Sequence, residues 1–258
     1  MKSMLKFLVL SFALAVSGCT SRDENPPMEG FNLAGSDPYA IELADKVMNA
    51  QGGRHNWDKT RHFQWTLFGQ RHWWDKMDGN FRIETDTSIV LMNVKTKVGR
   101  MWIRGVEVPQ TEELKQNIAE NYYARWINDM YWFLMPFKLK DSGVTLKYLG
   151  DAFSKESKKC DVITLTFDKV GMTPQNKYEI YIDRKTDLVC QWNYFRDAND
   201  PEPTFKREWG KYETYGNLKL GSWRGINKDR EVNVTDIAVY DELPASVYES
   251  PEKVGIKK

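Results

Sequence analysis

Residues 63–79 read FQWTLFGQRHWWDKMDG, and this stretch decides the fold class. Its first part alternates apolar and polar side chains, with Phe63, Trp65 and Leu67 on one side of the alternation. A period of two is typical of a β-strand with one buried face. The stretch ends in the Asp-Gly pair at 78–79, which favours a tight hairpin turn. It therefore predicts two antiparallel strands and the turn that leads into the next.

The same pattern continues along most of the chain. Short turn-like segments separate the apolar runs, so each strand is expected to pair with the next in an antiparallel meander. Ten further segments are predicted as strands on this basis: 81–84, 89–94, 100–104, 145–150, 161–167, 177–182, 188–195, 205–215, 218–226 and 232–240.

Two segments change to helical spacing. Residues 37–50 place apolar side chains three and four positions apart, and residues 111–135 do so over a longer distance before Pro136. From Met130 to Met135 nearly every residue is apolar, which indicates a buried helix end. The sequence thus predicts a mainly β protein, a large curved antiparallel sheet forming an open half-barrel of about 11–12 strands. The N-terminal and mid-chain helices are expected to cover its concave face.

The N-terminus indicates export. A short apolar run, 5–16, follows two lysines and ends in Val16-Ser17-Gly18, the pattern of a secretory signal peptide. With Cys19 directly after it, the segment resembles the lipobox of bacterial lipoproteins, in which the cysteine is acylated, for example with palmitate. We therefore expect a lipoprotein signal peptide over 1–18, a flexible tether over 19–36, one β domain over 37–245 and a C-terminal tail over 246–258.

The charge balance and the motifs of the chain limit the classes of partner that the sequence predicts. The chain has 37 basic and 36 acidic residues, a balance that does not favour nucleic-acid binding. It lacks the common phosphate-loop, dinucleotide and hydrolase motifs, so no cofactor and no catalytic residue is predicted. The three histidines, His55, His62 and His72, do not have metal-site spacing, so no metal site is predicted. The predicted partners are the lipid bilayer, through acylated Cys19, and a hydrophobic ligand, with the protein a monomer.

Cys160 and Cys190 remain once Cys19 is assigned to the anchor. An exported location permits a disulfide. The two cysteines fall on strands expected to be next-but-one neighbours, about 9.6 Å apart, whereas a disulfide needs Cα atoms within about 7 Å. The sequence therefore favours two buried free thiols.

Tryptophans are the main candidates for a binding site. They are frequent in the predicted strands and in the mid-chain helix, where aromatic side chains suit either a packed core or an apolar ligand. The candidate ligand-lining residues are Trp65, Trp74, Trp102, Trp126, Trp132 and Trp192. The alternative to a binding role is that these rings only fill the core.

Four segments carry a family resemblance: Gly53-x-x-x-x-Trp57, Phe68-Gly69-x-x-x-x-Trp74-Asp75, Pro136-Phe137-Lys138-Leu139 and Tyr178-x-Ile180-Tyr181-Ile182-Asp183. They resemble a family of uncharacterised exported bacterial lipoproteins with a domain of unknown function. The order of elements also resembles the half-barrel of the periplasmic lipoprotein carrier and its outer-membrane receptor. That resemblance implies an apolar cavity for acyl chains under a helical lid.

The resemblance also bears on location. Thr20 follows the acylated cysteine, and by the sorting rule of such lipoproteins a residue other than aspartate implies the outer membrane. The domain would then face the periplasm or, in some bacteria, the cell surface. We favour a non-enzymatic envelope binder or carrier of a hydrophobic ligand. The alternatives are an envelope glycan- or lipid-acting hydrolase, with Asp75, Glu84 and His72 in one cleft, and a structural or partner-binding module.

Overall fold

The computed structural model describes residues 25–168 and 171–254. It is mainly β, with large antiparallel sheets that are not closed into a barrel and few helices, which confirms the predicted fold class. The strands are β1 (His62–Leu67), β2 (Gln70–Asp75), β3 (Asn80–Glu84), β4 (Ser88–Asn93), β5 (Val98–Ile103), β6 (Val106–Glu107), β7 (Val144–Phe153), β8 (Lys159–Phe167), β9 (Lys177–Asp183), β10 (Val189–Phe195), β11 (Phe205–Glu208), β12 (Gly210–Tyr215), β13 (Leu218–Asn227), β14 (Arg230–Asn233) and β15 (Thr235–Tyr240).

These strands form three hydrogen-bonded sheets. The first has the order β15-β1-β2-β3-β4-β5-β6, the second β11-β10-β9-β8-β7 and the third β12-β13-β14. The sequence predicted one continuous sheet with fewer strands. The second and third sheets divide at Trp209, where the single strand expected over 205–215 breaks, so that its first half pairs with β10 and its second half with β13.

The helices are α1 (Pro38–Ala50), α2 (Arg54–Lys59), α3 (Glu112–Asn117), α4 (Tyr123–Leu134) and α5 (Ser246–Glu249), with a π-helical turn over Ile118–Tyr122 and a 3₁₀ turn over Met135–Lys138. The helix predicted over 111–135 is present as α3, the π turn and α4. The Thr111 side chain accepts a hydrogen bond from the Leu114 N–H and caps its start. Within the described ranges, no helix is both long and apolar enough to span a bilayer.

Helix α4 separates two hydrophobic cores. Met130, Phe133 and Leu134 pack against the inner face of the first sheet, among Phe63 and its neighbours. Met135, directly after α4, belongs to the second core, which is formed by the second sheet and α1. The concavity of the first sheet is therefore filled by the apolar half of the helix. Open space next to α4 is therefore left only on the side of the helix that faces the second sheet.

Both segments that flank the expected domain over 37–245 make contacts with it. Within the expected tether over 19–36, residues from Asn25 onward lie on the domain, because the Met28 and Asn32 N–H groups bond to the Lys140 and Val144 carbonyls. The start of that tether, the signal segment and Cys19 lie outside the described residues. The expected C-terminal tail also packs, since α5 lies against the outer face of the first sheet. There the buried Arg82 donates hydrogen bonds to backbone carbonyls of this segment.

Candidate functional site

An aromatic cavity of about 490 Å³ lies between α4 and the second sheet. Its floor is formed by β8, β9, β10 and β11, and its other side by α4 and the turn that follows. The residues that line it are Tyr123, Ala124, Trp126, Ile127, Asn128, Met130, Tyr131, Trp132, Lys138, Asp141, Ser142, Val144, Phe167, Gly171, Met172, Thr173, Asn176, Tyr178, Trp192, Tyr194 and Phe205. Most of the large side chains in this set are aromatic, so the wall is apolar with a minority of polar groups.

The floor follows from strand alternation. Trp192 and Tyr194, two positions apart on β10, point to the same face of the sheet. Tyr178 on the neighbouring strand β9 stacks on Trp192, with ring centroids 5.3 Å apart and nearly parallel planes. Phe205 on β11 packs on Tyr194 at 4.9 Å. Three adjacent strands thus present a continuous aromatic surface to the cavity.

Helix α4 completes the wall with two adjacent aromatic residues. Trp132 meets Trp192 edge-on, with ring centroids 5.1 Å apart and planes at 89°. Tyr131 approaches Tyr178 at 5.5 Å. Edge-on and tilted contacts of this kind are favourable because the positive ring edge meets the negative ring face. The rings hold each other in place, and the cavity is therefore formed before any ligand arrives.

Three buried polar atoms on the cavity-lining side chains have no hydrogen-bond partner in the part of the chain that the structure describes: Trp126 Nε1, Tyr131 Oη and Trp192 Nε1. Burial raises the pKa of Tyr131 well above its ordinary value, and the nearby Tyr178 and Asp141 raise it further. The hydroxyl therefore stays protonated and, like the two indole N–H groups, is a donor. Each unmatched buried donor costs free energy.

The charged residues of the cavity neutralise each other. The Lys138 ammonium pairs with the Asp141 carboxylate, and both side chains are partly exposed. Asn176 uses its side-chain amide on the Arg196 carbonyl. The cavity therefore presents no unpaired charge among the described residues that line it, which suits a ligand that is mainly apolar.

The structure places the six candidate tryptophans in three environments. Trp126, Trp132 and Trp192 line the aromatic cavity. Trp65 and Trp74 instead lie in the first core. Trp102 lies on the opposite face of the first sheet, in a small cluster with Ile89 and Leu91. The sequence analysis did not select Tyr131, Tyr178, Tyr194, Phe167 and Phe205. The signal for Tyr194 was present, because it shares its strand face with Trp192.

The residues weighed for a hydrolase do not meet in one cleft. His72 is fully buried in the first core, with Nε2 3.0 Å from the Asp129 carboxylate on α4. Asp75 is paired with Arg61. Glu84 lies on the outer face of the first sheet, where it is paired with Arg82. In residues 25–168 and 171–254 there is no group of three or more potential ligands arranged to hold a metal ion.

A second, polar cavity of about 430 Å³ lies at the end of the first sheet, under the C-terminal segment. It is lined by Arg61, His62, Asp75, Asp78, Asn80, Asp241, Glu242, Leu243, Ala245, Tyr248 and Glu249. Its buried groups already have protein partners. His62 Nδ1 lies 3.0 Å from the Tyr248 hydroxyl, and the Arg61 guanidinium pairs with both Asp75 and Asp78. These contacts explain the cavity as a structural junction that joins the C-terminal segment to the sheet.

Comparison with solved structures gives distant neighbours. No family model matches the chain, and no curated protein matches it. Among solved structures, the chain is similar to a DUF1329 family protein from Desulfovibrio piger, with a TM-score of 0.46 and 10% sequence identity over 83% of this chain and 98% of that one. It is also similar to an uncharacterised conserved protein from Thermus thermophilus, with a TM-score of 0.26 and 12% identity over 83% and 95% of the two chains.

A further similar structure is that of MucB in complex with MucA, with a TM-score of 0.23 and 12% identity over 72% of this chain and 64% of that one. TM-scores below 0.5 at such identities give no basis for assigning an activity or a ligand. The resemblance drawn from the sequence is supported in part, since one structural neighbour comes from a family named for a domain of unknown function. The size and the lining of the aromatic cavity are therefore the basis for a functional proposal.

Proposed function

We propose that this protein is an exported lipoprotein that binds a hydrophobic ligand, of the acyl-chain or lipid class, in the aromatic cavity. The observation that carries the proposal is the cavity of about 490 Å³ between α4 and the second sheet, walled by mutually packed aromatic rings. Small-molecule sites are typically preformed clefts of about 300–1,000 Å³ with mostly apolar linings and a few polar groups. The aromatic cavity has that size and that chemistry.

The anchor supports the same function. A lipoprotein attached through Cys19 would remain at a membrane surface, where acyl chains are abundant. We propose the outer membrane, with the domain facing the periplasm or the cell surface, on the basis of Thr20. A binding domain held there would take its ligand directly from the bilayer or from another carrier.

A cavity-blocking variant tests the binding site. Ala124 lies on the cavity side of α4, so Ala124→Trp should fill the space without removing any ring of the wall. We expect the wild-type chain to bind palmitate, seen as a change in tryptophan fluorescence and as a bound mass in native mass spectrometry. We expect Ala124→Trp to weaken that binding at least about tenfold, a loss of about 1.4 kcal/mol.

Asn121→Trp is the matched control, because Asn121 is an exposed residue one turn earlier that does not line the cavity. It adds the same side chain to the same helical region and should bind palmitate like the wild type. The proposal fails if the wild type carries no lipid after gentle extraction and binds no palmitate. It also fails if Ala124→Trp and Asn121→Trp bind equally well.

A further inference from the structure

Cys160 and Cys190 lie in direct contact in the structure. Their Sγ atoms are 3.2 Å apart, and both residues are buried as free thiols. They occupy β8 and β10, which are separated by β9. The sequence predicts two buried free thiols, and the structure has them. The expectation that their strands lie too far apart for contact is wrong, because the local backbone departs from regular strand geometry.

A β-bulge brings the two sulfurs together. In the ladder between β9 and β10, Val189 faces Ile182 and Gln191 faces Tyr181, so that Cys190 is an extra residue without a partner in that ladder. The bulge reverses the alternation, since Val189 and Trp192 both belong to the second core although they are three positions apart. Cys190 is thereby placed on the opposite face of the sheet.

Cys160 reaches that same face by ordinary alternation. Ile163 and Leu165 on β8 belong to the second core, so Cys160, an odd number of positions from each, faces away from it. Cys160 stands opposite Asp183, the last residue of β9. The contact therefore forms at the end of the intervening strand, where the bulged β10 can approach β8.

The turn over 154–158 covers the pair. The Cys160 thiol donates to the Lys158 carbonyl at 3.3 Å, and the Ser154 N–H bonds to that same carbonyl. The hydrogen bond from Cys190 lowers the pKa of Cys160, while the same bond and burial raise the pKa of Cys190. The contact between the two thiols and the turn over 154–158 together hold the Cys160 and Cys190 side chains in a fixed relative position.

We propose that Cys160 and Cys190 form an intramolecular disulfide when the chain folds in an oxidising compartment. The bond requires a sulfur–sulfur distance of about 2.03–2.05 Å, so the two atoms must approach by about 1.2 Å, which is within reach of side-chain rotation. The bond closes a loop across β9 and braces β10 two residues before Trp192, in the floor of the aromatic cavity. The proposal does not depend on the nature of the ligand.

The chemistry is thiol–disulfide exchange with an oxidant of the protein or small-molecule disulfide class. During folding, before the 154–158 turn closes, the Cys160 thiolate attacks one sulfur of the oxidant. The oxidant's S–S bond breaks, a mixed disulfide forms and one oxidant thiol leaves. Cys190 then loses its proton and attacks the Cys160 sulfur, which releases the second oxidant thiol. The two cysteines are oxidised to one disulfide, and the oxidant disulfide is reduced to two thiols.

Mass spectrometry of the full chain, exported and purified without reductant, tests the pairing. The chain is denatured in the presence of an alkylating reagent, so that burial cannot protect a free thiol. We expect neither Cys160 nor Cys190 to be alkylated, a mass about 2 Da below the reduced form, and a peptide that links them. Alkylation of both cysteines, or a link from either one to Cys19, would overturn the proposal.

Thermal unfolding gives an independent measurement. A bond that closes a loop of this length should raise Tm by about 5–10 °C. Reductant should therefore lower the Tm of the wild type by that amount and leave the Cys160→Ala/Cys190→Ala double variant unchanged. Equal Tm values of the wild type with and without reductant would contradict the bond. Each protein is compared with and without reductant, so the packing cost of the two alanine substitutions does not affect the difference in Tm. The mass spectrometry needs only the wild type, so it tests the disulfide even if the double variant does not fold.

Discussion

Arg224 shows how a single buried charge organises the domain. Its side chain is fully buried, and its Nε donates to the Trp132 carbonyl at 2.7 Å, near the end of α4. The guanidinium lies 3.5 Å from the ring centroid of Trp209. Burial lowers the pKa of Arg224 to about 9, so it stays charged at neutral pH. The charge is placed where helix carbonyls lack partners and where an aromatic face accepts a cation.

We expect Arg224→Ala to lower the free energy of unfolding by about 2–4 kcal/mol, because the carbonyls near the helix end lose their buried donor and Trp209 loses its contact. Arg224→Lys should not restore the loss, since an ammonium lacks the planar fork that reaches several acceptors. Urea unfolding measures both. Arg230→Ala, at an exposed position, is the control and should change stability by less than about 0.5 kcal/mol. Similar values for the two alanine variants would show that Arg224 does not hold α4.

His62 makes stability depend on pH. Burial lowers its pKa from the usual 6.5, although Asp75 and Asp78 raise it and Arg61 lowers it further. As pH falls, His62 is therefore protonated in the unfolded chain at a higher pH than in the folded chain. The free energy of unfolding consequently decreases below about pH 6.5. Urea unfolding between about pH 8 and pH 5 should show this fall.

Two histidine variants separate this effect from any other titration. His62→Gln should flatten the dependence between about pH 6.5 and pH 5, whatever its effect on stability at about pH 8. His55→Gln, at an exposed position of α2, should leave the dependence as in the wild type. If the slope is the same in all three proteins, the buried His62 is not its source.

At the scale of residues, the sequence predicted which side chains share a strand face better than it predicted which of them line the cavity. Alternation indicates that Phe63 and Trp65 share a strand face, and it indicates the same for Trp192 and Tyr194. It does not indicate which face leaves a space, because that depends on where α4 settles between the sheets. Trp65 therefore lies in a solid core and Trp192 lines a cavity, although their local patterns are alike. The bulge at Cys190 is likewise a property of strand pairing and has no local sequence signal.

At the scale of elements, α4 has two different faces. Met130, Phe133 and Leu134 fill the concavity of the first sheet, while Trp132 faces the second sheet. The run of apolar residues predicted a buried helix end, and this is confirmed. The same run of apolar residues could not show that one side of α4 would pack on the first sheet while the other side would line a cavity. That outcome depends on the large rings of the second sheet, which stack on each other and hold the helix away from the floor.

The His72–Asp129 pair joins α4 to β2 inside the first core. His72 Nε2 lies 3.0 Å from Asp129 Oδ2, and the imidazole stacks on Trp65 with centroids 4.7 Å apart. Both side chains are almost completely buried. A buried polar pair of this kind contributes little net stability when intact, but removing one member leaves the other without its partner. The pair therefore sets the position of the helix along the strand more than it strengthens the core.

A double-mutant cycle tests this joint. We expect Asp129→Leu alone to lower the free energy of unfolding by about 3–5 kcal/mol, because the buried His72 loses its partner. The double replacement His72→Phe/Asp129→Leu should cost much less than the two single replacements added together. Urea unfolding of the wild type, both single variants and the double variant gives the coupling. Additive losses would show that the two side chains do not act as a unit.

At the scale of the whole molecule, the fold class followed from the sequence pattern, whereas the contacts of the flanking segments did not. Alternating segments separated by turns were enough to predict an open antiparallel β protein, and the structure confirms this. The polar segment after the signal has no apolar periodicity, yet residues from Asn25 onward are held on the domain by backbone hydrogen bonds. The C-terminal segment is held similarly by Arg82. Contacts made through the backbone leave no mark in side-chain patterns, so composition alone does not show that these flanking segments contact the domain.

The predicted anchor would hold the proposed binding domain at a membrane, and this prediction rests on Val16-Ser17-Gly18-Cys19. We expect the wild-type protein to incorporate labelled palmitate and to fractionate with membranes, because acyl chains contribute about 0.8 kcal/mol for each buried CH₂ group. Cys19→Ser removes the acylated sulfur and should abolish incorporation. Ser21→Ala, two residues away, is the control and should behave like the wild type. Incorporation that persists in Cys19→Ser, or is absent from the wild type, would contradict the anchor and leave palmitate binding by the aromatic cavity as a separate question.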